Sequence, residues 1–566
     1  MLAEHLVLTA LPGALGAFVA MRRGLRSVPL LLCVALACSG LTAILAFWAF
    51  YADPTAGQAF AFLVAIGSVY GLVLCRPDRL DRGLLRELAV PAGLWALASV
   101  FLVYLGFVHG GTNEPLTMAT TRFSHPLPPD NQIPNFFADW FFHHGHDGPP
   151  PPFGDWLSSD RPPLQVGYAL SQRPFGWDDL GLHYEVLAVI VQQLWILGMW
   201  AVLCAARLRP LARGLAIVAA TVSDVTIVNG FFVWPKLIAA AFLLAALAMV
   251  LSEHWSTLRR SPWGAALFAA LCGLAMLAHG ASAFGIAPLL LFAALRGRAS
   301  LRRHATQSST AQVSGRRWLG IAIAVGIVLL GSWSAYQRYA DPPGDRLVKW
   351  QIGGYLPIDE RGAFETIVDG YEEAGLGGAL ENKWRNVTTM VGQQAEEGAV
   401  PAAIDDLEEG HPGEAVAALR QPRFFNLLVF LGILLIAPIA MLVRRLLGGR
   451  PEGPEWRFAV TALGFCALVA ASWALLLFGS PETTATMHVG TLALPLLAVC
   501  ACVAGALAVS RAFGIALTAV NVLLVLVLYV PYIGPPPGTS YSVVAALVAV
   551  AALGGFGYLA LRPAAR

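Results

Sequence analysis

Apolar runs of span length recur through nearly the whole chain, broken by short turns that carry arginine at every second break. Such runs leave few choices. A bilayer holds no water to pair with backbone N–H and C=O groups, so a segment must close its own hydrogen bonds. A helix of roughly 20 apolar residues does this while crossing the hydrocarbon. About fifteen stretches qualify, near 5–21, 28–51, 56–75, 88–108, 186–205, 212–230, 233–252, 263–279, 281–295, 318–336, 425–443, 457–478, 486–508, 512–532 and 541–561. Composition agrees: 57% of the 566 residues are hydrophobic and 13% charged, against about a quarter charged in soluble domains. The expected fold class is an all-α polytopic membrane protein.

The arginines supply an orientation, because basic residues accumulate in cytoplasmic connections. Placing the Arg22–Arg26 turn in the cytoplasm and alternating puts 25 of the 37 basic residues on that side. Turns on the other side, such as "YADPTAGQ" and "GSPETTATMHVG", are acidic or neutral. The N-terminus then lies outside and the C-terminus in the cytoplasm. Arg22 and Arg23 follow the first apolar run, which reads as a span and not as a signal peptide. Only Lys236, Lys349 and Lys383 are lysines, and Ala and Gly are abundant. That usage suits a GC-rich bacterial genome, hence a bacterial inner membrane. A net charge of +2 gives no reason to expect a nucleic-acid partner. No GxxxxGK[ST] loop is present, which argues against an ATP-driven pump. The eight cysteines fall inside or beside apolar runs and read as small buried hydrophobes.

Five regions follow: an N-terminal four-helix membrane extension (1–108), a first extracytoplasmic loop (109–185), a membrane core (186–336), a second extracytoplasmic loop (337–424) and a five-helix membrane region (425–566). The first loop reads "LPPDNQIPNFFADWFFHHGHDGPPPPFGDWLSSDRPPLQVGYAL". Ile133, Phe136, Phe137, Trp140 and Phe141 recur at helical spacing, as in an amphipathic helix lying on the membrane with its aromatics toward lipid. Asp130 follows Pro128-Pro129, where an acid either caps the turn or serves chemistry. Asp160 and Arg161 precede Pro162-Pro163, whose fixed backbone would set where Arg161 points. They form either an ion pair at a helix start or part of a site.

The order of an acid, a short helix containing Ala, a His-Gly turn and then Arg-Pro-Pro-Leu opening a helix resembles bacterial relatives of the protein O-mannosyltransferases. These include the lipid A aminoarabinose transferases and belong to the GT-C glycosyltransferases. The matching motifs are Asp130-Asn131 and Arg161-Pro162-Pro163-Leu164. The stretch "LCGLAMLAHGASAFGIAPLLLF" is similar to the family's Leu-x-Lys-Gly helix, with His279 at the usual lysine. The resemblance covers about 120–295. It implies a GT-C-like core and sugar transfer from a polyprenyl-phosphate-linked donor to an extracytoplasmic lipid, polysaccharide or protein. It also implies Asp130, with Asp160, as catalytic acids, Arg161 and His279 on the donor phosphate, and in some members a divalent cation (Mg or Mn).

Other candidates come from chemistry. Lys236, Asp224 and Asn229 in "TVSDVTIVNGFFVWPKL" are polar groups near span ends, where ionisable residues are costly. Lys236 would add a cation for phosphate, or snorkel beside Trp234. His143, His146 and Asp147 form a possible metal cluster or a solvated turn, and His488 is a further outer-turn candidate. Two rival functions remain: a transporter or flippase of a lipid-linked intermediate, and a non-catalytic envelope-assembly protein.

Overall fold

The computed structural model describes residues 1–75, 81–123, 127–304, 311–391, 393–425, 429–449, 452–480, 491–529 and 541–562. Regular structure among them is helical throughout. Four helices open the chain: α1 (Leu2–Arg22), α2 (Val28–Ala52), α3 (Pro54–Cys75) and α4 (Arg82–Gly106). A first excursion carries α5 (Pro115–Thr121), α6 (Ile133–His144) and α7 (Leu164–Gln172). The bundle resumes with α8 (Leu180–Gln192), α9 (Trp195–Ala205), α10 (Pro210–Thr221), α11 (Asp224–Phe232) and α12 (Lys236–Leu251). It continues through α13 (Trp255–Leu258), α14 (Pro262–Ala278), α15 (Ala283–His304) and α16 (Ala311–Ala335). The second excursion holds α17 (Arg346–Gly353), α18 (Ala363–Val391), α19 (Gln393–Glu408) and α20 (Pro412–Phe425). Then come α21 (Ile436–Leu446), α22 (Pro454–Leu476), α23 (Ala493–Val509), α24 (Arg511–Tyr529) and α25 (Val543–Leu561).

Among the described residues, ten helical stretches are long and apolar enough to cross a membrane, α8 and α9 together making one. The pair α10 and α11, bent by 54°, makes an eleventh if taken as one span, and α12, α14 and α23 are apolar but shorter. The chain is a multi-pass helical membrane protein. The expected span at 212–230 is broken: Val222 and Ser223 leave the helix, and the Ser223 side chain accepts from Thr226 N to start α11. A serine N-cap after an apolar run supplies that stop.

The bundle is built around α12, in which every residue from Lys236 to Val250 is buried. A helix that is apolar on all faces has no lipid-facing side and belongs at the centre. Close approach of its neighbours depends on small residues. A Cβ at Gly198 of α9 would lie 2.4 Å from Ala241 O in α12, and one at Gly167 of α7 would lie 2.1 Å from Ala43 O in α2.

The two poles differ. At one, arginines close the helix ends: Arg22 donates to Leu74 O (2.9 Å), Arg296 to Leu251 O (2.8 Å) and Arg444 to Ala508 O (2.5 Å). Cations suit helix C-termini, whose last carbonyls lack partners and carry partial negative charge. The two excursions sit at the other pole. There His5 of α1 is buried, its ring nitrogens 2.8 Å from Gln172 Oε1 and 3.0 Å from His183 Nδ1.

The first excursion departs from expectation. In α6, Ile133, Phe137 and Phe141 are buried in the protein core and do not face lipid. Phe141 meets the Phe47 ring edge-on at 5.3 Å. The helix faces α2 and α7, which carry enough apolar surface to take up the stripe.

Candidate functional site

Asp130 rides on a single 3₁₀ turn, Pro129–Gln132, which Pro128 and Pro129 stiffen. Its neighbour Asn131 is buried and donates to Leu116 O (3.0 Å), so it anchors the turn. Arg161 stands just before Pro162-Pro163, with α7 opening at Leu164. The two side chains meet: Arg161 Nη2 lies 3.3 Å from Asp130 Oδ2. Both line a cavity of about 520 Å³.

The second excursion completes that cavity. Asp341 Oδ2 accepts from Ser158 Oγ (2.6 Å) and Ser159 N (2.9 Å), and Gln337 donates to Ser159 O (2.9 Å). Arg346 reaches back to Asp155 (2.9 Å) and lies 3.6 Å from Asp160 Oδ2. The Trp156 ring is held between two guanidiniums, Arg161 at 4.5 Å and Arg346 at 4.3 Å from its centroid. Such stacking favours cations over the ring face. Asp345, Trp350 and Gln351 join the lining.

Asp160 is buried and also lines the cavity. Burial pushes its carboxyl above the usual range, while the Leu157 N–H and the guanidiniums of Arg346 and Arg161 pull it back. For Arg161 burial acts in the opposite sense, lowering the guanidinium from its ordinary range, and Asp130 and Asp160 resist the change.

The core adds two further groups. Lys236, the first residue of α12, is fully buried with Nζ 3.9 Å from the Trp234 ring centroid. Its ammonium has no hydrogen-bond partner among the described residues, and it lies within the electrostatic reach of Asp130 and Arg161. His279 follows the end of α14 and lines the cavity; its Nδ1 accepts from Ala281 N (3.3 Å). That bond fixes Nδ1 as the acceptor and leaves the ring proton on Nε2.

The charges in and around the cavity balance in pairs: Asp130 with Arg161, Asp160 with Arg346, Asp345 with Lys349 at 3.1 Å. Lys236 stands beside them as a buried amine that no acid among the described residues pairs. Among the described residues, no three His, Cys, Asp or Glu side chains converge as metal ligands.

The histidine cluster therefore does not assemble. His143 Nε2 turns toward Arg173 (3.4 Å), whose guanidinium pairs with Asp139. His144 stacks on Trp140 at 4.2 Å, and His146 and Asp147 are exposed. Asp224 is buried at the start of α11, outside the cavity lining, as is Asn229. His488 lies outside the described residues. Sequence reasoning missed Trp156 and Arg346. A signal was present for the second: "DPPGDRLVKW" follows the helical turn Tyr336–Ala340 after α16 and puts Arg and Lys near prolines, as the first excursion does.

A second hollow of about 480 Å³ lies between α2, α14 and α16 and is lined by apolar side chains such as Cys38, Leu267 and Val328. It follows the same two helices that carry Met276 and Leu330 into the first cavity, with Leu329 against Gly273 between the two. No family model matches this chain, and no curated protein matches it.

Proposed function

We propose that this chain is a membrane glycosyltransferase of GT-C type, acting on a polyprenyl-phosphate-linked sugar at the extracytoplasmic face of a bacterial inner membrane. The observation that carries this reading is the buried Lys236 amine, without a hydrogen-bond partner among the described residues, near the Asp130–Arg161 pair. Holding a proton there unpaired would cost several kcal/mol, and a phosphate group in the cavity would supply the partner that lets it stay charged. The apolar hollow beside the cavity suits the carrier's hydrocarbon, and the resemblance carried by Asp130-Asn131 and Arg161-Pro162-Pro163-Leu164 points the same way.

In this mechanism an acceptor hydroxyl oxygen attacks the anomeric carbon. Asp130 takes the hydroxyl proton, and the bond from that carbon to the phosphate oxygen breaks with its electron pair going to phosphate. Arg161 grips the leaving phosphate through its planar fork, with Lys236 behind it as a point charge. His279 donates from Nε2 to the same oxygens. The anomeric centre inverts, and the acceptor is a lipid, polysaccharide or protein.

The 54° break between α10 and α11 favours a second reading, a flippase of the same lipid-linked head group, since broken helices mark binding sites in transporters. One experiment separates the two. Purified protein in nanodiscs is given synthetic polyprenyl-phosphate sugars together with bacterial envelope lipid, polysaccharide and protein as acceptors, and released polyprenyl phosphate is measured for wild type, Asp130→Asn and Arg161→Ala. Each substitution is expected to lower turnover by about 10²-fold or more. Equal turnover in all three removes the mechanism; binding without release in any of them selects the flippase.

A further inference from the structure

The second half of α18 carries an apolar stripe that the protein does not cover. Leu376, Leu380, Trp384 and Val387 are 80%, 62%, 67% and 37% exposed. Gly375, at φ 60° and ψ 178°, breaks the helix just before them, so the stripe belongs to a separate rod with its own direction.

That rod is fastened to the end of a span. Lys383 Nζ donates to Leu477 O (2.5 Å), Asn386 Nδ2 to Ala474 O and Leu477 O (3.0 Å each), and Arg385 to Gly479 O (3.1 Å). A Cβ at Gly479 would lie 2.5 Å from Asn382 O, so the two backbones touch. These acceptors are the last carbonyls of α22 and the residues just after it. In that last turn Leu475 and Leu476 are themselves 66% and 46% exposed, as lipid-facing residues of a span are.

The angular order around the rod matters most. At about 100° per residue, the stripe residues cluster within about 80° of one another. The anchored face, with Asn382, Asn386 and buried Met390, lies on one flank of the stripe. Glu381, 71% exposed, lies on the other, and Arg385 bridges from it (3.1 Å) back to Gly479 O at the anchored end. Going round the helix, one meets protein, then apolar side chains, then charge. A helix lying in the plane of a bilayer surface has this order: bound to its neighbour on one side, apolar below, charged above. A Trp in the stripe suits that depth, since its ring is amphipathic.

We infer that residues 376–390 form an interfacial helix whose stripe is seated in the lipid surface of the membrane that the chain spans. The helix thereby fixes the height of the second excursion, and with it the height of Arg346 and Trp350 at the cavity.

The test compares full-length wild type and Trp384→Phe in liposomes, so that the difference in tryptophan emission reports Trp384 alone. Phospholipids brominated near the top of the acyl chain are expected to quench more than half of that difference, and aqueous iodide little of it. Quenching by iodide and not by bromolipid places the stripe in water and overturns the inference. Protection from both quenchers places it against a second copy or another protein, and also overturns it. Should Trp384→Phe not fold, wild type is irradiated with a diazirine phospholipid. Adducts on peptides covering 376–387 are expected, and their absence, with adducts found on exposed span residues such as Leu475, refutes the seating.

Discussion

Replacing Arg346 with Met would test whether the second excursion holds the cavity together through charge. Arg346 is 5% exposed at its side chain and lies 3.6 Å from Asp160, itself 1% exposed. Removing one partner of a buried ion pair costs about 3–5 kcal/mol, because the other charge is left without compensation. Two facts reduce the expectation. Asp155, the second partner, is 62% exposed and adds little, and Arg161 continues to act on Asp160. The expected loss is about 2–3 kcal/mol near neutral pH. Burial raises the folded-state pKa of Asp160 above its unfolded value, so the native state binds that proton more tightly. Stability from this proton is present at low pH and lost as pH rises through the folded-state pKa. Without Arg346 the folded-state pKa rises further, so the deficit of the variant shrinks on acidification. All eight cysteines are buried or half-buried, which allows unfolding to be followed with a thiol-reactive dye. The deficit is expected to be smaller at pH 5 than at pH 8, and Arg346→Met/Asp160→Asn is expected to recover most of it. An equal deficit at both pH values, with no recovery in the double variant, would refute the pairing.

Two further outcomes are expected. Lys236→Met removes the unsatisfied buried amine, so the apparent unfolding midpoint of the ligand-free protein should rise, while the added protection given by polyprenyl phosphate should disappear; a lower midpoint contradicts the idea of an unsatisfied polar group. Gly167→Val places side-chain atoms where a Cβ would already lie 2.1 Å from Ala43 O, so α7 must separate from α2 at a cost of at least about 1–3 kcal/mol, read in the same dye assay.

The arginine-rich turns made the two poles legible from sequence, because charge at a helix end is a local signal that needs no partner. Asp130 and Arg161 were legible for a similar reason: each is fixed by prolines beside it. The inward face of α6 was not. Its helical spacing was read correctly, but periodicity says only that one side is apolar, and core and lipid are equally acceptable to Phe137 and Phe141. Arg346 and Trp156 come together from excursions 190 residues apart, and neither local pattern names the other as the residue it meets. Sequence alone does not reveal that the Lys236 amine is buried without a partner among the described residues, since that emerges only once the acids lining the cavity are seen to face Arg161, Arg346 and Lys349.

The His5 contacts also bear on how the chain is made. Its partners Gln172 and His183 lie 167 and 178 residues downstream. At roughly 5–20 residues per second, synthesis of that interval lasts on the order of ten seconds or more. Throughout that time the first helix is already inserted while a ring that will end up dry has no mate. The first helix packs mainly on α2 and α3, which are made soon after it, so what the later polypeptide adds is the mate for that one ring.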